Sequence, residues 1–265
     1  MTEEKRILVE GRPCTLIISD EPQALLAAKA AGRAVLAVDP SVLDPGAAAS
    51  AAAPRAEGAA ARDWLSGIPY VVPSFEDADD VLAELVLRRH LGLPWRIGET
   101  ERLILREFVE ADADRIPEEE YGSQEAMFRS RTFLRAYIEK QYGFYEYGVW
   151  AVVEKAAGDL AGMAGVSNPR LMPGMEKLLP EGDGSPWLEL GYHIFRPYRN
   201  KGYGKEAAGE AASYAEEVLG ARICAVIDRE NKASRRLAEG LGLSLIQETD
   251  TESFEGRLLY ARIRP

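Results

Sequence analysis

Histidine and cysteine are scarce in this chain. Among 265 residues there are two cysteines, Cys14 and Cys224, and two histidines, His90 and His193. Neither pair has the clustered spacing of a zinc site, so a metal centre built on thiolates and imidazoles is excluded and no metal is expected. Each cysteine sits in or beside an apolar, strand-like run, which suits neither a nucleophile nor a structural disulfide. Long apolar runs are missing too, and none is long enough to cross a bilayer. The opening residues, MTEEKRILVEG, alternate acidic and basic side chains without the apolar stretch of a secretory signal. A cytoplasmic location is therefore expected, with no membrane partner. A basic excess is absent as well: 32 Lys and Arg stand against 43 Asp and Glu, for a net charge of −11. An acidic surface repels nucleic-acid phosphates, so nucleic acid is not an expected partner, whereas an amine-bearing one is favoured. The length allows one large domain or two ordinary ones, and a homodimer is left open.

Two patterns divide the chain. From Arg6 to about Gly92, strand and helix signals alternate: TLIISD (Thr15 to Asp20), a helix in EPQALLAAKAAG, AVLAVD (Ala34 to Asp39), YVV (Tyr70 to Val72), then a helix whose N-cap is expected at Ser74. This predicts a small parallel sheet covered by helices over residues 1–93. Pro45 to Ala61, rich in Ala, Gly and Pro, reads as a helix or a mobile loop. Leu93 to Glu101, with Pro94 and Gly98, reads as a linker to a second domain over 99–265. There, RLILREF (Arg102 to Phe108) alternates like a strand. Ala111 to about Tyr142 reads as two helices broken near Tyr121-Gly122. VWAVVE, DLAGMAGVS and WLELGYHIF follow as strands without intervening helices, so they should pair antiparallel. Pro169 to Pro186 reads as a long loop. Gly202 to Leu219 is helical, ARICAVID a strand, Asn231 to Leu241 a helix, and LSLIQE and RLLYARI the last strands.

The chemistry concentrates in ELGYHIFRPYRNKGYGKEAA, Glu189 to Ala208. A strand leads into a basic turn, two glycines and an amphipathic helix with Ala207, Ala211, Ala215 and Leu219 in one stripe. Free N–H groups at a helix start, with the helix dipole behind them, attract anions. Gly202 and Gly204 let a phosphate approach the backbone, and Arg199, Lys201 and Lys205 add positive charge. The P-loop pattern fails because Glu206 follows Gly204-Lys205 where Ser or Thr is required. Gly202-x-Gly204-x-x-Ala207 formally fits the dinucleotide fingerprint, with Asp228 ending the next strand. An NAD-dependent oxidoreductase is thus an alternative, weakened by Phe195 to Lys201 lying between the strand and the first glycine.

Arg199-x-x-Gly202-x-Gly204 resembles the [RQ]-x-x-G-x-[GA] pyrophosphate motif of the GNAT superfamily of N-acetyltransferases. Asn231-x-x-Ser234, with Leu241-Gly242-Leu243 beyond it, resembles that family's second motif. TERLILREFVEADADRI, from Thr100, resembles the opening strand of its ribosomal-protein-type branch. The resemblance covers about 165 residues. It implies an α+β fold with a mixed, mostly antiparallel central sheet and helices on both faces, here preceded by a small βα, Rossmann-like domain. It also implies acetyl-CoA as co-substrate and transfer of an acetyl group to a primary amine, on a small molecule or a protein N-terminus, by direct attack in a ternary complex. On the same basis the backbone at Tyr192, His193 and Ile194 meets the pantetheine arm. The turn Arg199, Asn200, Lys201, Gly202, Tyr203, Gly204 and Lys205 takes the pyrophosphate, and Asn231 and Ser234 meet the arm from their helix.

The resemblance makes Glu189 a candidate general base, because the incoming amine must shed a proton. Many family members protonate the leaving thiolate with a Tyr in the second motif's helix. No Tyr occurs from Asn231 to Leu243, and Ser167 is the candidate substitute. The loop Arg170 to Met175, Glu118 to Glu120, and Tyr142, Phe144, Tyr145 and Tyr147 are candidates for the acceptor side. A chain that binds acyl-CoA without catalysis is a further alternative, separated by Glu189. At the N-terminus, Asp20 to Asp39 and Tyr70 to Asp77 resemble the final part of a haloacid-dehalogenase-like hydrolase. The D-x-D-x-[TV] nucleophile segment is absent, so this implies a remnant that serves dimerisation, substrate selection or regulation.

Overall fold

A computed structural model of the chain describes residues 1–42, 67–120, 125–181, 184–246 and 254–263. Two compact units emerge: Met1–Trp95 with Gly143–Glu146, and Arg96–Tyr142 with Tyr147–Pro265. The readings of Pro45 to Ala61 and of the break at Tyr121-Gly122 lie outside the described residues.

The first unit holds a four-stranded sheet in the order β1-β2-β3-β4, made of β1 (Thr2–Val9), β2 (Arg12–Ser19), β3 (Ala34–Val38) and β4 (Val71–Val72). The expected parallel pairing holds for β2 with β3 and β3 with β4. β1 was not expected, and it pairs antiparallel with β2. From Lys5 to Val9 its exposure alternates, with Lys5, Ile7 and Val9 more buried than Arg6 and Leu8, the pattern of an edge strand with one wet face. Glu10 and Gly11 both have positive φ, 48° and 73°, which makes the two-residue turn whose twist suits a hairpin. Helices α1 (Pro22–Ala30) and α2 (Asp80–His90) pack against these strands. The N-cap of α2 is Asp79, which accepts the Leu82 N–H at 2.8 Å. Ser74 instead donates to Asp77 at 2.7 Å in the preceding turn, so the cap lies five residues later than expected.

The second unit is built on an eight-stranded sheet, in the order β11-β12-β10-β9-β8-β7-β6-β5. Its strands are β5 (Arg96–Glu99), β6 (Leu103–Arg106), β7 (Val149–Glu154), β8 (Leu160–Ser167), β9 (Trp187–Ile194), β10 (Arg222–Asp228), β11 (Ser244–Leu245) and β12 (Arg257–Ala261). β5 to β9 form an antiparallel meander, and β9 and β10 are parallel. This order excludes the doubly wound parallel sheet of a dinucleotide-binding fold. β5 lies inside Leu93 to Glu101, the stretch read as a linker, and the division between the two units, after Trp95, falls there too. Gly98 lies in this strand, and a Cβ on it would stand 1.8 Å from Glu210 Oε1, so any larger residue there would require the Glu210 side chain to move.

Helix α3 (Arg131–Tyr137) passes into one π-helical turn (Ile138–Tyr142), and the three-residue α4 (Gly143–Tyr145) falls with the first unit. The stretch before α3 is a series of short 3₁₀ turns, less helical than expected, because Asp112 turns inward. Asp112 is fully buried, bound in a fork by Arg106 at 2.7 and 2.9 Å, and it accepts the Val109 N–H at 2.9 Å. Tyr142 is a core residue rather than an acceptor-side one. Only 1% exposed, it donates to the Val149 carbonyl at 2.6 Å and accepts the Phe108 N–H at 3.2 Å. Helix α5 (Tyr203–Glu217) packs against β8 and β9. Ala207, Ala208, Ala211, Ala212 and Ala215 are all fully buried, and their small side chains bring the helix close to the sheet. Leu219, expected on this stripe, lies beyond the helix end. Helix α6 (Lys232–Gly240) follows β10.

Candidate active site

The site is a fork in the sheet. β9 and β10 pair at three positions, ending with Glu189 beside Cys224. Beyond that point β9 continues to Ile194 paired with β8, and β10 continues to Asp228 paired with β12. Among the described residues, no strand fills the gap. The resulting cleft of about 190 Å³ is lined by Glu189 to Tyr192, by Ala225 to Asp228, and by Asn231, Ser234 and Leu237 of the α6 region. A strand edge left open in this way presents unpaired N–H and C=O groups to an extended ligand.

Tyr192 stands at the fork. Its hydroxyl is 3.0 Å from Ser234 Oγ on α6. On its other side the ring packs on Gly204, where a Cβ would meet Tyr192 Cε2 and Leu237 Cδ1, each at 3.3 Å. Burial pushes the Tyr192 phenol above its ordinary value, with the Ser234 hydrogen bond opposing that shift. Sequence reasoning assigned Tyr192 through its main chain, and the role of its side chain was missed. Asn231 caps α6, accepting the Ser234 N–H at 3.0 Å. Asn231 and Ser234 both line the cleft. The His193 ring is 5.9 Å from that of Phe195.

Glu189 is half-buried and stands directly opposite Ser167 of β8. With Cys224 on its other flank, the three residues form one row across β8, β9 and β10. Directly paired residues project to the same face of a sheet, so two candidate groups from successive strands become neighbours. Glu189 Oε2 accepts the Arg170 N–H at 2.8 Å, which ties the long β8–β9 connection to this row. That connection carries Met175, which packs with Cys224, Leu259 and Ala261. Tyr147 reaches Asn168 Oδ1 at 2.7 Å. Glu118 is 81% exposed and pairs with Arg129.

At the far end of β9 the chain makes a 3₁₀ turn (Arg196–Tyr198), then Asn200 at φ 61° and Gly202 at φ 84°, and enters α5. Residues with positive φ fold successive N–H groups into a concave nest. The first intrahelical bond runs from Glu206 N to Gly202 O at 3.2 Å, so the preceding amides have no helical acceptor. Arg199 is exposed, and its Nε donates to the Ile194 carbonyl at 2.7 Å. Lys201 and Lys205 are exposed. The Tyr203 side chain serves packing: its hydroxyl donates to Glu154 at 2.5 Å and its ring stacks on Tyr198. Turn and cleft together fit a ligand with an extended arm and a diphosphate. Among the described residues, no group of three or more His, Cys, Asp or Glu could hold a metal ion, and no helix is long and apolar enough to cross a membrane.

Residues 102–244, more than half of the chain, match the family described as the acetyltransferase (GNAT) domain. The Bacillus subtilis (strain 168) protein YkkB is 30% identical over 107 residues, which make up 40% of this chain and 54% of that protein. The chain thus matches about half the length of that curated relative. Among solved structures, an acetyltransferase (GNAT family) from Bacillus anthracis is 22% identical, covering 62% of this chain and 94% of that one with a TM-score of 0.43. The ribosomal-protein-S5-alanine acetyltransferase from Vibrio fischeri is 16% identical, covering 64% of this chain and 96% of that one with a TM-score of 0.49. The chain belongs to the GNAT acetyltransferases.

Proposed function

We propose that the chain is an N-acetyltransferase that moves the acetyl group of acetyl-CoA to a primary amine in a ternary complex. The observation that carries this reading is the register of Ser167 and Glu189 beside the fork of β9 and β10. Acetyl-CoA supplies an activated acetyl carbonyl, and transfer to nitrogen releases the free thiol. In this reading, main-chain groups of Tyr192, His193 and Ile194 bind the pantetheine arm along the open edge of β9. The amides from Arg199 to Lys205, with the charges of Arg199, Lys201 and Lys205, bind the diphosphate. Asn231 and Ser234 flank the arm from α6.

Glu189 accepts the proton that the amine must lose, directly or through water, since an ammonium has no lone pair. Ser167, on the same face, passes its hydroxyl proton to the departing sulfur and takes one back from water. The acceptor is an amine on a small molecule or a protein N-terminus. We further propose that residues 1–93 and 99–265 act as separate domains, the first in dimerisation, substrate selection or regulation. The cytosol is the compartment that suits this chemistry.

A thermal-shift titration with acetyl-CoA, CoA, NAD and NADP tests the reading. A ligand that binds only the folded state raises Tm with the logarithm of its concentration. Stabilisation by acetyl-CoA and CoA, and not by NAD or NADP, is expected. Stabilisation by a nicotinamide dinucleotide alone would overturn it.

A further inference from the structure

A carboxylate stands where the diphosphate reading calls for an anion. Glu206 is in the first turn of α5, the end whose dipole would attract phosphate. A free negative charge there would repel the ligand at close range. Glu206 is not free. Its Oε1 accepts from Thr100 Oγ1 at 2.5 Å and from the Arg102 N–H at 3.0 Å. Its Oε2 accepts from Arg102 Nε at 2.8 Å and from the terminal Nη2 at 2.5 Å. Thr100 is itself held, because its hydroxyl oxygen accepts the Leu103 N–H at 3.0 Å.

Arg102 does a second thing with the same guanidinium. Its other terminal nitrogen, Nη1, donates to the Lys201 carbonyl at 2.8 Å, and its plane lies over the Tyr203 ring, 4.6 Å from the centroid. A trans peptide is planar, with its C=O and the following N–H pointing in opposite directions. Holding the Lys201 carbonyl toward Arg102 therefore turns the Gly202 N–H away from it. One side chain thus fixes a peptide of the turn, packs on the residue after it and neutralises the acid one helical turn later. Only a planar fork with several donors can do all three, which a lysine ammonium cannot.

We propose that Arg102 is a positioning residue for acetyl-CoA binding: with Thr100 it cancels the charge of Glu206 and holds the Lys201–Gly202 peptide in the orientation that receives the diphosphate. The inference rests on the reading of Arg199 to Lys205 as the diphosphate turn. It gives a role to the strand-opening residues Thr100 and Arg102, about a hundred positions before the glycines.

Calorimetric titration of the full chain with acetyl-CoA, and with S-acetylpantetheine, which has no diphosphate, tests it. Arg102→Ala should weaken acetyl-CoA binding about ten-fold or more, and S-acetylpantetheine binding by less than about two-fold. Arg102→Ala/Glu206→Gln should recover part of the loss, because the exposed charge is gone. Arg102→Lys should lie between wild type and Arg102→Ala, and it decides the matter if the alanine variant does not fold. An acetyl-CoA Kd unchanged in Arg102→Ala, or both donors weakened alike, overturns the proposal. If the wild type binds the two donors equally, the diphosphate reading of the turn fails first. If the wild type prefers acetyl-CoA and the variants keep that preference, only the role of Arg102 fails.

Discussion

The hydroxyl of Tyr192 on β9 and the Oγ of Ser234 on α6 are 3.0 Å apart, joining the helix to one arm of the fork. Each of Tyr192→Phe and Ser234→Ala removes this bond and leaves the ring against Gly204. Either change should cost about 1 kcal/mol of stability, and the double variant little more than one single, since the two groups share one bond. Urea titration of the four proteins measures the coupling. Fully additive losses would mean the hydroxyls act separately.

Gly202 is at φ 84°, and a Cβ on it would approach Arg102 Nη2 to 3.3 Å. Gly202→Ala should therefore destabilise the second unit by about 1–2 kcal/mol, the cost of a left-handed non-glycine residue. Acetyl-CoA affinity should fall as well, because the turn must shift. An alanine variant with wild-type Tm and wild-type affinity would show that the turn tolerates a side chain and is not a close-approach site.

Glu189→Gln keeps the size of the side chain and an oxygen to accept the Arg170 N–H, but removes its ability to take a proton. Turnover, followed as thiol release with an amine acceptor, should drop by about 10²–10⁴ while acetyl-CoA affinity stays near the wild-type value. Unchanged turnover would move the base elsewhere. Turnover absent in the wild type with every amine tried, alongside intact acetyl-CoA binding, would favour the non-catalytic alternative.

Alkaline pH should unfold the second unit early. Burial pushes the Cys224 thiol up to about 12, with the neighbouring Glu189 charge adding to it. Burial likewise pushes the Tyr137 phenol up to about 12, and Tyr142 well above its ordinary value. All three are held neutral in the folded state. When unfolded they ionise near their ordinary values of 9.0 for the thiol and 10.0 for the phenols, so the unfolded state gains first as pH rises. Stability is full below pH 9.0 and is lost as pH climbs through about 12. Urea midpoints between pH 8 and pH 11, roughly the span of these ordinary values, measure it. In the native state iodoacetamide should label the partly exposed Cys14 and spare Cys224, which is fully buried. Equal labelling would contradict the burial.

Much of the second unit was legible from local chemistry. The strand-like runs VWAVVE and WLELGYHIF, the alanine stripe of α5 and the glycine turn before it depend on residues close in sequence. Period and turn chemistry report such features directly. The same local reading did not show β5, a strand inside the stretch read as a linker. The space beside Gly98 in that strand is filled by the side chain of Glu210, more than a hundred positions away. It failed at Asp112 and Tyr142 for a related reason, since buried hydrogen bonds, rather than helical periodicity, decide that stretch. β1 was missed because its charged edge-strand pattern resembles a polar leader.

The sequence alone determined the family resemblance, the glycine turn proposed to take the diphosphate, and Glu189 and Ser167 as separate candidates. Their spacing to neighbouring residues carries that information. Only the tertiary structure decided that Ser167 and Glu189 are register partners, that β9 and β10 part immediately beyond them, and that Tyr192 spans to Ser234. It also decided that Glu206 is neutralised by Arg102. Strand register, strand divergence and ion pairs across about a hundred residues arise when distant segments meet in one sheet, and a single sequence has no local signal for where that happens.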